Sequence, residues 1–224
     1  MIVAIFDLDG TLYTGHIGRG IALHHRTHKV KRVLFYIYMV THMPLWILQR
    51  AGLVSDSIAR QLWIRHMGWT VRGWTPQESA AAFAWIAQEY VQPLMRPDVM
   101  ARLREHQATG HRVILVSGTL SPLLATIGRQ FGVEETVGTP LIVKRGRYSG
   151  TCELPVCQGS HKAVRLKNYL QDSGSDDILW SQSYAYADSY SDIPVLEQVG
   201  HPVAVYPDPR LAAHAQNLGW EIME

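Results

Sequence analysis

Apolar and polar positions along the chain follow two different rhythms. Ile2-Val3-Ala4-Ile5-Phe6 is an unbroken apolar run that stops at Asp7-Leu8-Asp9-Gly10-Thr11. A continuous run ended by a turn signal predicts a strand buried on both faces, as in a parallel sheet. From residue 16 to about 95 the pattern is helical, punctuated by Gly and Pro, with no strand. Ser55 predicts a cap before a helix over Ile58–Trp69. Thr75-Pro76-Gln77-Glu78 is a capping box that starts a helix reaching about Val91. Within this region Val33–Gln49 lacks formal charge and lies between Lys31-Arg32 and Arg50. It is short for a bilayer span and contains Pro44, so it reads as a buried or interfacial helical hairpin broken at that proline.

Strand and helix alternate from there on. A helix over Val99–Ala108 ends at Gly110, and His111–Val116 forms a strand with Ser117-Gly118-Thr119 at its end. Ser121–Phe131 is helical, and two β-like runs flank Arg145-Gly146 as a hairpin. A helix follows over Ser160–Leu170, capped by Ser160, then a strand over Ile178–Ala187 ending at Asp188. Helix over Pro194–Val199, strand over His201–Val205 and helix over Arg210–Leu218 close the chain. The fold class is α/β: a Rossmann-like, doubly wound parallel sheet with an inserted α-helical subdomain.

Composition adds little to this picture, and charge adds more. The 224 residues are 47% hydrophobic and 18% charged, enough for a full core, and the net charge of +2 gives no argument for a nucleic-acid partner. From Gly10 to Ser55, however, there is no Asp or Glu, while Arg19, Arg26, Lys29, Lys31, Arg32 and Arg50 all lie there. That segment carries +6 and the remainder −4. An anionic substrate, an anionic membrane surface or a solvated basic helix would each account for it. Cys152 and Cys157 are too few for a disulfide framework, and the N-terminus has no basic-then-apolar leader. The expected compartment is the cytoplasm, with peripheral contact at the inner membrane surface open through the helical insertion.

The candidate chemistry gathers at strand ends, where open α/β sheets keep their ligands. Asp7 and Asp9 crowd the end of the first strand. Asp188 and Asp192, four residues apart, follow a later one. Carboxylates at this density repel one another and need a cation between them, and an all-oxygen donor set suits Mg²⁺ rather than zinc. The Ser117 hydroxyl and the Gly118 N–H can hold a phosphoryl oxygen, as many turns can, and Lys162 taken alone reads as a solvated cation on its helix. His24-His25 and His28 have helical spacing for a metal but no carboxylate beside them, and read as a polar helix face. Tyr36, Tyr38, Trp46, Trp63, Trp69 and Trp74 read as core or interface anchors.

In order and spacing these residues resemble the haloacid dehalogenase (HAD) superfamily of phosphatases. Its D-x-D-G-T motif is matched by Asp7-Leu8-Asp9-Gly10-Thr11, its S/T-G by Ser117-Gly118, its lysine by Lys162 and its D-x-x-x-D by Asp188 to Asp192. The resemblance implies a catalytic core over residues 1–14 and 97–224, and a cap over 15–96 as in the phosphoserine-phosphatase-like branch. It further implies that Asp7 attacks phosphorus to form an aspartyl-phosphate while Asp9 is general acid and base. Mg²⁺ would be held by Asp7, the Asp9 backbone carbonyl, Asp188 and Asp192, and Ser117, the Gly118 N–H and Lys162 would hold the phosphoryl oxygens.

Departures from the pattern bear on substrate. Phosphoserine phosphatases place a glutamate soon after the first motif, whereas here Gly15-His16-Ile17 occupies that region and no acid follows until Asp56. A basic, apolar cap is similar to that of phosphatidylglycerophosphate phosphatases of the same branch. The expected substrate is therefore a small phosphorylated metabolite or a phospholipid head group, with Arg19, Arg60 and Arg65 as candidate contacts to the leaving group. A phosphotransferase with the same intermediate, and a non-catalytic membrane- or phosphate-binding module, are the alternatives.

Overall fold

The computed structural model describes residues 1–174 and 177–224. Among these, six strands form one parallel sheet in the order β3-β2-β1-β6-β7-β8. They are β1 (Val3–Phe6), β2 (Arg112–Leu120), β3 (Glu135–Thr139), β6 (Tyr184–Ala187), β7 (His201–Val205) and β8 (Glu221–Met223). The chain leaves β1 toward β3 on one side and then builds β6, β7 and β8 on the other. β1 therefore lies at the topological switch point, and its carboxyl end faces the crevice where such sheets bind ligands.

Side-chain alternation explains the continuous apolar run. Ala4 and Phe6 point into one core with Val99, Leu103, Leu124 and Ile127 of α5 (Pro97–Ala108) and α6 (Ser121–Gln130). Val3 and Ile5 point into the other, with Leu166, Leu196 and Leu211 of α7 (Ser160–Asp172), α8 (Ile193–Leu196) and α9 (Pro209–Leu218). A strand covered on both faces needs apolar residues at every position, and all four residues of β1 are buried.

Between β1 and α5 the chain forms the helices α1 (Ile17–Thr27), α2 (Arg32–Arg50), α3 (Asp56–Met67) and α4 (Pro76–Trp85), with a π-helical turn over Ile86–Val91. The Thr75 capping box forms as expected: the Glu78 N–H donates to Thr75 Oγ1 at 3.1 Å and the Thr75 N–H to Glu78 Oε2 at 2.7 Å.

Several expectations are corrected. α2 is one helix running through Pro44, not a hairpin broken there. The preceding turn is reinforced by side chains: the Thr41 hydroxyl donates to the Ile37 and Tyr38 carbonyls, and His42 Nδ1 also bonds that of Tyr38. Among the described residues no helix is long and apolar enough to cross a membrane. Strand β6 begins only at Tyr184, because Trp180–Gln182 forms a 3₁₀ turn whose Trp180 carbonyl accepts from Ser183 and Gly200. Gly159, not Ser160, caps α7. β2 does not end at Val116 but continues to Leu120, and a bulge in its pairing with β3 between Val116 and Leu120 spans Ser117-Gly118-Thr119. His24 and His25 form no polar face; both are buried against Trp74, with His24 also against Trp85, and His25 Nε2 bonds the Thr70 carbonyl at 2.9 Å.

The hairpin turns at Arg145-Gly146 as expected, joining β4 (Leu141–Lys144) to β5 (Arg147–Cys152). Its partner is unexpected. The Gly73 N–H donates to the Tyr148 carbonyl and the Tyr148 N–H to the Trp74 carbonyl, both at 2.8 Å, so the hairpin reaches out of the core and pairs with the cap.

Candidate active site

Three adjacent strands and one helix start deliver the site. Asp7 follows β1, Ser117 lies in the bulge of β2, Asp188 follows β6, and Lys162 occupies the first turn of α7. Lys162 Nζ donates to Asp7 Oδ1 at 2.5 Å and to Asp192 Oδ1 at 2.8 Å, with all three residues buried. Burial alone would discharge the lysine, but Asp192 and Asp7 outweigh it and raise its pKa above the ordinary range. The Thr11 hydroxyl lies 3.2 Å from Asp7 Oδ2 and 3.3 Å from Asp188 Oδ1, so it can donate to either carboxylate.

Carboxylate oxygens of Asp7, Asp188 and Asp192 lie within 4.8 Å of one another. Burial, then the neighbouring Asp7 and Asp192, push the Asp188 carboxyl up to about 8, and Asp192 is raised by burial as well. Groups so placed are costly as bare anions and well matched to a small hard cation. Gly10 leaves the room they need: it adopts a φ of +84°, and a Cβ there would overlap the Asp188 carboxylate. The residues present therefore fit Mg²⁺.

Asp9 stands apart from this cluster. Its Oδ1 accepts from the Tyr13 hydroxyl and, at 3.0 Å, from the Ile17 N–H at the start of α1. Burial is the largest influence on it and Asp7 adds repulsion, together lifting its carboxyl to about 7. A carboxyl half-protonated near neutrality and fixed by two donors is suited to giving and taking a proton.

These groups line a cavity of about 390 Å³, with Ser117, Gly118, Asp7, Asp9, Lys162, Asp188 and Asp192 on the core side. His16 and, from α3, Arg60, Trp63, Ile64 and Met67 form the cap side. Arg60 Nη1 donates to Ser189 Oγ at 2.8 Å, joining cap to core beside the acidic cluster. Asp208 also reaches the cavity, but its oxygens accept from the Tyr190, Arg210 and Leu211 N–H groups. Gly118 sits where cap meets core: a Cβ there would come within 2.6 Å of Ile64 Cδ1.

All the expected core residues are thus gathered at one cavity. Of the three candidate arginines Arg19, Arg60 and Arg65, only Arg60 joins them. Arg19 lines a separate groove between α1 and α2, and Arg65 lies in a third depression with Leu154 and Pro155. Thr11 enters the sequence reading only as the end of the first motif and Tyr13 does not enter it, although each stands four residues after the aspartate it bonds. Trp63, read as a core or interface anchor, lines the cavity, and Ile64, Met67 and Ser189 carry no local signal.

The haloacid dehalogenase-like hydrolase family matches residues 4–197. A Streptomyces azureus protein described as an inhibition of morphological differentiation protein is 31% identical over 154 residues, covering 68% of this chain and 54% of that one. The phosphoserine phosphatase SerB1 of Mycobacterium tuberculosis is 28% identical over 99% of this chain and 70% of its own length. Among solved structures, a Bordetella pertussis protein of unknown function superposes with a TM-score of 0.81 at 27% identity, covering 99% of this chain and 97% of that one.

Proposed function

The chain belongs to the haloacid dehalogenase-like hydrolases, and from that membership we propose that it hydrolyses phosphomonoesters through an aspartyl-phosphate formed on Asp7. The observation that carries this reading is the pairing at the cavity floor of Asp7, held by Lys162, with Asp9, held by Tyr13 and Ile17. Two adjacent carboxyls in different environments take different roles.

In this reading Asp7 forms the new P–O bond as the ester P–O bond breaks, and Asp9 delivers its proton to the departing alkoxide. Asp9, now ionised, takes a proton from the water that attacks the aspartyl-phosphate, releasing inorganic phosphate and restoring both carboxyls. Lys162, the Ser117 hydroxyl and the Gly118 N–H steady the equatorial oxygens. Asp7, Asp188 and Asp192, with the Asp9 carbonyl, would hold Mg²⁺, which supplies charge neutralisation and orientation of the phosphoryl group when bound. Tyr13 and the Ile17 N–H hold the Asp9 carboxyl in one orientation through both half-reactions.

The cap wall supports a substrate class. It presents the Arg60 guanidinium and His16 beside Trp63, Ile64 and Met67 and, among the described residues, no cap carboxylate that would meet an ammonium. We place the preference with small phosphorylated metabolites whose leaving group carries an anionic or acceptor group, rather than with phosphoserine. The test is release of inorganic phosphate from p-nitrophenyl phosphate, a phosphorylated hydroxy acid and O-phosphoserine, with Mg²⁺ or with chelator, and with or without added alcohol acceptor. Mg²⁺-dependent release that favours the hydroxy acid is expected. Transfer to the acceptor in place of release would make the protein a phosphotransferase, and silence on every ester would overturn the reading.

A further inference from the structure

α2 packs against the cap by one face only. Tyr38 and His42 point inward: the Tyr38 hydroxyl donates to the Trp63 carbonyl at 3.0 Å, and His42 Nε2 meets His66 Nδ1 at 2.9 Å. The opposite face runs through Val33, Tyr36, Ile37, Val40, Met43 and Ile47, at helical spacing. Val33, Tyr36 and Val40 are 72%, 66% and 69% exposed, far more than a helix of a closed core leaves open.

The surroundings of this face are cationic. Lys29, Lys31 and Arg32 lie at its N-terminal end, and Arg50 stacks over Trp46 at the other, 4.9 Å from the ring centre. Beside it a groove of about 500 Å³ between α1 and α2 is lined by Arg19, Arg26 and Arg32 together with Phe35, Tyr36 and Tyr90. Those three arginines make no ion pair or side-chain hydrogen bond among the described residues. Asp56, the first carboxylate after Asp9 in the chain, accepts from the Gln49 amide at 2.9 Å.

We infer that the outer face of α2 and the arginine groove beside it form a docking surface for an anionic lipid bilayer. The helix, roughly 28 Å long at 1.5 Å per residue, would lie in the plane of the interface. Its apolar row enters the acyl boundary, Tyr36 and Trp46 sit at head-group level, and the groove arginines meet lipid phosphates. Charge selects this occupant over a second copy of the chain. Twofold pairing of α2 would set the basic start of one helix against Arg50 of the other, cation against cation, with no carboxylate between Gly10 and Ser55 to relieve them. The inference does not depend on the hydrolase reading.

Flotation of the full chain with phosphatidylglycerol–phosphatidylcholine vesicles, against pure phosphatidylcholine vesicles, tests it. Binding to the anionic vesicles alone, weakening as salt is raised, is expected. The double substitution Arg26→Gln/Arg32→Gln should lower affinity about 25-fold, roughly fivefold per cation. Val40→Glu/Ile47→Glu should lower it at least about tenfold. Both variants should keep the wild-type thermal midpoint, which separates lost docking from lost folding. Failure of the wild type to float, equal flotation on neutral vesicles, or flotation indifferent to Val40→Glu/Ile47→Glu would each overturn the proposal. So would a dimer in light scattering that the same double substitution dissociates, since the face would then belong to a second copy.

Discussion

The parallel core and the helical cap solve opposite problems with the same chain. The core sheet is covered on both sides, and the groups proposed to meet phosphorus emerge from β1, β2, β6 and the start of α7 at one rim. The cap covers its helices on one side, leaves a face of α2 open, and sends one arginine, Arg60, to the cavity among the described residues. On the proposed reading the core would hold the reacting groups, and the wall made by His16 and α3 would meet the leaving group. Substitutions in the core should therefore change whether the reaction occurs, and substitutions in the cap should change which ester reacts.

The largest effect is expected at Asp7. Asp7→Asn should cost at least about four orders of magnitude in turnover of p-nitrophenyl phosphate with the circular-dichroism spectrum preserved. Near-wild-type turnover in that variant would remove the core from its assigned role. Lys162→Ala should lower kcat by about three orders of magnitude. It should also destabilise the Mg²⁺-free protein by about 3–5 kcal/mol, because Asp7 and Asp192 would be left buried without their cation. Comparing denaturation with and without Mg²⁺ checks this, with the metal expected to recover part of the loss.

Arg60→Ala should raise KM about tenfold for an ester with an anionic leaving group while leaving kcat for p-nitrophenyl phosphate within about twofold. A fall in kcat for both esters would place Arg60 with the core chemistry and blur the division. The smallest effect concerns the one respect in which the regions match. His24 of the cap and His106 of the core are each depressed from 6.5 to about 4, chiefly by burial and then by a neighbouring histidine. Both stay neutral in the fold and charge more readily when unfolded. Their contribution to stability is complete above about pH 6.5 and declines as pH falls toward 4. Asp9 and Asp188, whose raised carboxyls take up protons in the fold over the same window, oppose this, so the histidine contribution is read as a difference. As pH is lowered from 6.5 toward 4, the thermal midpoint of His106→Gln should lose less than that of the wild type.

Much of the fold was legible where its signals are local. The apolar run into Asp7, the capping box at Thr75 and the Arg145-Gly146 turn each declare themselves within a few residues. β8 was not expected, since Glu221–Met223 offers three residues and no periodicity. Pro44 was read by its usual cost to a helix, which local side-chain bonds and tertiary packing offset here. The cap arginines show the deeper limit. Arg19, Arg60 and Arg65 are equivalent as sequence, and only the way α3 is laid across the β2 bulge, with Ile64 against Gly118, decides that Arg60 reaches the cavity.

The bonds linking Tyr148 to Gly73 and Trp74 also bear on how such proteins could be recombined. In the linear map the cap is one interruption between β1 and α5, an apparent cassette. In space it is stitched a second time, by a hairpin encoded some seventy residues later. A chimera that exchanges only residues 15–96 would leave β4 and β5 facing a foreign partner and strand their backbone donors and acceptors. The exchangeable unit is two separated stretches of chain, so a new specificity grafted onto this core has to travel with its clasp.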